Sequence, residues 1–237
     1  MRFLRIPKIL DNKKNKVADE LKKELKKGSK LSVISAYFTI YAFAELKKEL
    51  SKIDNMRFIF TEPTFVKKDM EMIREFYIEH ATDKKLSGNE FEIKLRNEMK
   101  QAAIAKECAK WLSEKAEIKS LRESNPAHPR LVYIENDEEN ISINGTVDFT
   151  SDGLGITSSN RLDSNMCLYG KEYTVGFLNS FNELWNDKTA VEDVKNKVLE
   201  HMQVLYKENT PEFIYFITLY NNLDKRDSGM LAVLRIL

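Results

Sequence analysis

The sequence predicts one α/β domain closed by helices toward its C-terminus, on three observations. Apolar runs at 31–37 and 56–60 flank a helical pattern at 41–51 with short connections, which is the order of a βαβ unit and a parallel strand pair. Two further apolar runs, 131–135 and 141–144, are separated only by an acidic turn. From residue 172 onward the pattern is helical. The chain has 237 residues, and a domain of that size buries roughly three quarters of its unfolded surface. No internal repeat divides it, so one domain is the economical reading.

Taken in order, Val17, Leu21 and Leu25 recur at helical spacing among lysines over 15–27, and Gly28 offers a stop. Strand 31–37, helix 41–51 and strand 56–60 follow, the last ending toward Pro63. Residues 65–88 are charged and carry no clear period. A longer helix over 90–114 places Leu95, Met99, Ile104, Cys108, Trp111 and Leu112 along an apolar face. Residues 118–121 are compatible with a strand. The Ser-, Gly- and Asn-rich stretch 151–165 resembles a functional loop, and 166–169 reads as one more strand. Helices are expected at 172–185, 191–206 and 211–223.

Composition narrows the functional classes. Hydrophobic residues make up 42% and charged residues 32%, ordinary for a globular protein. Lys and Arg number 38 against 37 Asp and Glu, a formal charge of +1, so overall charge does not select nucleic acid and any basic surface is local. Cys108 and Cys167 are too few for a disulfide scaffold and lack metal-site spacing, which favours a reducing cytoplasm. No apolar run approaches the ~20 residues that span a bilayer, and no secretory leader is evident. Without a Gly-x4-Gly-Lys-Ser/Thr stretch, the chain is not expected to hydrolyse ATP by itself.

The chemistry concentrates between Ser124 and Asp163. His128 and Arg130, one residue apart on an extended backbone, point the same way because side chains alternate with period two. A hairpin later, Asn144, Gly145, Thr146, Val147 and Asp148 form a glycine-led turn able to bring a hydroxyl and a polar tip against them. A nucleophile, a fixed cation and small polar donors suit a bound phosphate.

This spacing resembles the phospholipase D superfamily signature, in which His-x-Lys is followed, after a strand, by Gly-Ser-x-Asn. Arg130 stands in the lysine place, Gly145 and Thr146 in the Gly-Ser places and Asp148 in the asparagine place. The longer gap between the two halves is absorbed by the turn 136–140. More narrowly, the chain is similar to the phospholipase-D-like region ahead of SNF2-type helicase domains in bacteria and archaea. That likeness rests on Ser35-Ala36-Tyr37-Phe38-Thr39, Thr61-Glu62-Pro63-Thr64-Phe65, Ala105-Lys106-Glu107-Cys108-Ala109, Asp148-Phe149-Thr150 with Gly153-Leu154, Glu183-Leu184-Trp185-Asn186-Asp187 and Leu205-Tyr206-Lys207-Glu208-Asn209. It implies a mixed sheet flanked by helices on both faces with a helical C-terminal cap. The likeness covers roughly residues 12–223, within one domain expected over 1–223, with 224–237 an irregular or truncated tail ahead of a motor region.

The resemblance implies that His128 attacks a phosphodiester phosphorus to form a phosphohistidine. Arg130 keeps the positive charge but exchanges a compact ammonium for a planar fork. Thr146 keeps the hydroxyl. Asp148 departs most: an asparagine donates to phosphate, whereas an ionised carboxylate only accepts. Two like charges at ~4 Å repel by about 4 kcal/mol at an effective dielectric of 20. Asp148 escapes that penalty by pairing with Arg130 or by supporting a metal, and no second carboxylate is placed for the latter. Asp163 is the nearest match to the acidic residue that orients the histidine, with Glu135 a weaker one. Surface ion pairs suit both equally. The candidate catalytic set is therefore His128, Arg130, Asp148 and Asp163, and the phosphate-binding set Arg130, Thr146 and Asp148.

Elsewhere the simpler readings prevail. His80 and His201 belong to solvated helices, Trp111 and Trp185 to helix packing, and Tyr37, Phe38, Tyr41 and Phe43 to the core and its rim. The lysines of 13–30 form a solvated face diluted by Glu20 and Glu24. The expected function is binding of a nucleic-acid backbone, DNA first, with metal-independent and cofactor-free cleavage weakened by the motif changes. The alternative is a noncatalytic docking or assembly module on the same fold. Lipid hydrolysis is disfavoured because nothing faces a membrane. A single motif implies that a complete site needs a second copy, hence a homodimer, and the narrower likeness implies an SNF2-type partner region.

Overall fold

The computed structural model describes residues 5–63, 90–124, 128–160 and 162–207. Its centre is an eight-stranded mixed sheet in the order β1 (Lys8–Leu10), β7 (Asn165–Tyr169), β6 (Ile141–Gly145), β5 (Arg130–Glu135), β2 (Lys30–Ser35), β3 (Asn55–Phe60), β4 (Ala116–Leu121) and β8 (Val191–Asp193) among the described residues. Strands β2, β3 and β4 are parallel, joined through helices α2 (Ile40–Leu50) and α3 (Glu90–Lys115). The βαβ reading holds. Strands β5, β6 and β7 continue the sheet antiparallel from β2.

Period-two alternation divides the side chains between two cores. Leu31, Val33, Phe58, Val132, Ile134 and Ile143 face α1 (Val17–Glu24), α2, α3 and α5 (Lys195–Lys207). Ile34, Ile59, Leu131 and Tyr133 face the opposite layer, where Phe181 and Trp185 of α4 (Lys171–Asn186) cover them. Helices therefore flank the sheet on both faces, and the C-terminal part of the described chain supplies one helix to each. Trp111 anchors α3 to α2 by donating from Nε1 to Leu50 O at 3.0 Å. Phe38 and Phe43 are core residues, whereas Tyr37 is exposed.

Several elements differ from expectation. The segment 191–206 opens as a strand, β8 (Val191–Asp193), because Leu121 of β4 offers an unpaired edge opposite Val191. Only then does α5 begin. Strand β1 (Lys8–Leu10), unexpected from sequence, closes the other edge against β7. Helix α1 stops before Gly28 because Leu25 turns extended and Asn136 Nδ2 donates to Glu24 O at 3.0 Å. Strand β2 stops at Ser35, whose hydroxyl turns back to Tyr37 O at 2.7 Å. His201 is half-buried rather than solvated, and burial pulls its imidazole below the ordinary range. Expectations for His80, 65–88, 211–223 and 224–237 lie outside the described residues.

Glu20 and Glu24 are not part of a solvated face. Both are buried, and Arg5 reaches them at 3.1 and 2.7 Å and Glu139 at 2.9 Å. The Arg5 guanidinium also lies 3.6 Å from the Tyr169 ring centroid. Burial opposes the Arg5 charge, but hydrogen bonds to Glu24 and Glu139 outweigh it and raise its pKa. This clamp fixes the segment leading into β1.

Candidate phosphate-binding site

The candidate residues gather where the parallel strands end. Antiparallel pairing sets Arg130 opposite Gly145 and Leu131 opposite both Ile34 and Asn144. The end of β2, the start of β5, the end of β6 and the start of β7 thus share one rim of the sheet. Gly145 has φ +149°, and a Cβ there would lie 2.5 Å from Ser164 O and 2.7 Å from Asn165 Oδ1. Only glycine lets the chain pass. Immediately beyond it, Thr146 N donates to Asn165 Oδ1 at 2.8 Å, fixing the turn.

Asp148 takes the first of the two routes open to it. Its Oδ1 accepts from Arg130 Nε at 3.0 Å, with the two side chains 14% and 10% exposed. The same oxygen accepts from Ala36 N at 3.0 Å and lies 3.1 Å from Ser35 Oγ, whose single proton points to the nearer Tyr37 O. Arg130 Nη1 donates to His128 O at 2.8 Å, so the guanidinium ties the Asp148 turn to the segment carrying the histidine.

His128 lies at the mouth of β5, and its Nδ1 is 3.1 Å from Pro129 O. A carbonyl only accepts, so the contact is a hydrogen bond in the tautomer that carries its proton on Nδ1, with Nε2 then the nucleophilic nitrogen. Asp163 sits on the same rim, but its partners are others: Thr146 Oγ1 donates to Oδ1 and Asn12 Nδ2 to Oδ2, each at 3.0 Å. The orienting contact to the imidazole is taken by the Pro129 carbonyl instead. Glu135 is not near the histidine at all. It ends β5 opposite Lys30, about 16 Å from the rim at ~3.3 Å per residue, with Arg57 Nη2 3.9 Å away.

Three contributors escaped the sequence reading. Ala36 supplies a donor just past the end of β2, beside Ser35, and Asn12 pins the rim from the N-terminal loop. Asn12 has φ +56° and donates to Gly153 O at 2.8 Å while accepting from Val17 N at 3.1 Å. A left-handed asparagine after Asp11, whose carboxylate accepts from three successive backbone N–H groups, was the local signal available. The loop 151–165 is anchored rather than loose: Leu154 is fully buried and its carbonyl accepts from Ala18 N at 2.9 Å. Among the described residues no group of three or more His, Cys, Asp or Glu is placed to hold a metal. A cavity of about 860 Å³ lies at the opposite end of the sheet, lined by Lys30, Glu135, Asn140 and Tyr173 among others.

The class these observations define is an α/β protein with an open mixed sheet and a polar rim at its parallel strand ends. No protein-family model matches the sequence, and no curated protein does. Among solved structures, the phosphatidylserine synthase of Haemophilus influenzae Rd KW20 is similar, with 10% identity and a TM-score of 0.45 over 92% of this chain. The chain spans 45% of that protein's length. Among the described residues no helix is long and apolar enough to cross a membrane.

Proposed function

We propose that the chain is a phospholipase-D-like domain that binds a nucleic-acid phosphodiester backbone, DNA first, at the rim formed by His128, Arg130 and Thr146. The observation that carries this reading is the pairing of β5 with β6, which brings a histidine, a guanidinium and a hydroxyl from two sequence motifs to one end of the sheet. Backbone phosphates are matched by a guanidinium, whose fork contacts two oxygens together.

Cleavage, where it occurs, runs through His128. Nε2 bonds to phosphorus as the bond to the leaving nucleoside oxygen breaks. That oxygen takes a proton from the equivalent histidine of a second copy, and water then hydrolyses the phosphohistidine. The route needs no metal, but it needs a homodimer. A second reading, a noncatalytic docking module, is favoured by one observation: Arg130 and Thr146 already spend donors on Asp148 and Asp163. Attachment to an SNF2-type motor, in the cytoplasm, belongs to either reading.

The discriminating experiment is a nuclease assay in EDTA comparing the wild type, His128→Ala and Asp148→Asn. Cleavage abolished by the first change and raised by the second supports the enzyme. Salt-sensitive DNA binding without cleavage by any of the three supports docking. Neither binding nor cleavage rejects both readings.

A further inference from the structure

The most unusual feature of the rim is that donors from two separated parts of the chain meet on one oxygen. Ala36 N and Arg130 Nε both donate to Asp148 Oδ1, each at 3.0 Å, and Ser35 Oγ lies 3.1 Å from it with its single proton directed to the nearer Tyr37 O at 2.7 Å. A backbone N–H and a guanidinium N–H together make a pair that stabilises a phosphate oxygen or an oxyanion. Asp148 is held there from behind as well. A Cβ on Gly153 would lie 2.5 Å from Asp148 O and 3.0 Å from its N, so the turn after Asp148 wraps closely around that backbone.

Resting on the phosphodiester reading above, we propose that these donors form an anion hole filled by the chain's own carboxylate. A substrate phosphate then gains Arg130 only by displacing Asp148, which makes the site self-occupied. The carboxylate stands in for a phosphate oxygen. Its charge opposes a second anion, and its hold on Nε fixes the guanidinium edge. Arg130 also donates to His128 O at 2.8 Å. Turning Arg130 toward a substrate therefore releases the segment bearing the nucleophile, so the arrival of phosphate and the freedom of His128 are linked. The device weakens the site for any anion that does not displace Asp148.

The test uses Asp148→Asn, which keeps the side-chain carbonyl for Ala36 N but removes the charge that holds Arg130. The probes are inorganic phosphate and a short oligothymidylate. Each is expected to bind the variant at least tenfold more tightly than the wild type, and the gain is expected to vanish in Asp148→Asn/Arg130→Gln. A folded Asp148→Asn protein that binds no more tightly, or a gain that survives Arg130→Gln, overturns the gate while leaving the functional reading in place. Absence of binding in both proteins overturns the two together. A second measurement needs no variant: phosphate titrated into the wild type should move the Ala36 amide and Arg130 Nε–H resonances in step. Binding that leaves both unmoved also overturns the gate.

Discussion

Replacing Arg130 with glutamine and Asp148 with asparagine, singly and together, measures the ion pair on which the site is built. The two charges sit 3.0 Å apart with their side chains only 14% and 10% exposed. At an effective dielectric of 20 their gross attraction is about 5 kcal/mol, offset by the cost of desolvating both. Arg130→Gln removes the cation 3.0 Å from the carboxylate while Ala36 N still donates to it, and breaking such a pair costs roughly 3–5 kcal/mol. Asp148→Asn leaves a guanidinium still bonded to His128 O and nearer to solvent, so its cost is smaller, about 1–2 kcal/mol. The double variant loses less than the sum, with a coupling of at least about 1 kcal/mol. Urea unfolding of the four proteins, with unchanged m-values, gives the cycle. Additivity within about 0.5 kcal/mol would refute the pairing and everything argued from it.

Arg5→Ala leaves Glu20 and Glu24 buried without their principal cation, and thermal unfolding should report a loss of about 2–4 kcal/mol. For Glu24, burial raises the pKa but the hydrogen bond to Arg5 outweighs it and lowers it. The stability it contributes is thus present above the ordinary carboxylate value of 4.5 and lost as pH falls through the depressed folded value, a dependence that Arg5→Ala should flatten. Gly145→Ala, with its Cβ forced to 2.5 Å from Ser164 O, should cost more than about 2 kcal/mol and weaken oligonucleotide binding by distorting the Thr146 turn. Burial pushes the Cys167 thiol up to about 11 and raises Cys108 further. Neither should react with a thiol reagent at pH 8 until denaturant is added, and prompt labelling of the native protein would contradict that burial.

The sheet was legible wherever apolar runs were long enough to carry a period, as at β2, β3, β5 and β7. The edges were not. Strands β1 and β8 have three residues each, too short for alternation to declare itself, and only their neighbours' unpaired edges define them. Helix α1 was legible but its end was not, because Asn136 lies 112 residues away from the carbonyl it caps. The site divides the same way. His128, Arg130, Gly145 and Thr146 stand close in sequence and on paired strands, so motif spacing sufficed to bring them together. Ser35 and Ala36 lie 113 and 112 residues from Asp148, and Asn12 lies 151 from Asp163; topology alone unites them. Glu135 shows the converse error, since a carboxylate near the motif in sequence is carried along its strand to the far end of the sheet.

Fluorescence anisotropy of a labelled single-stranded oligonucleotide, titrated at two salt concentrations, tests the rim most directly. Arg130→Gln should weaken binding at least tenfold, whereas Lys171→Gln, beside the cavity at the opposite end of the sheet, should leave it unchanged. Equal losses in the two variants, or none in either, would place the phosphodiester contact somewhere other than the strand ends that carry His128, Arg130 and Thr146.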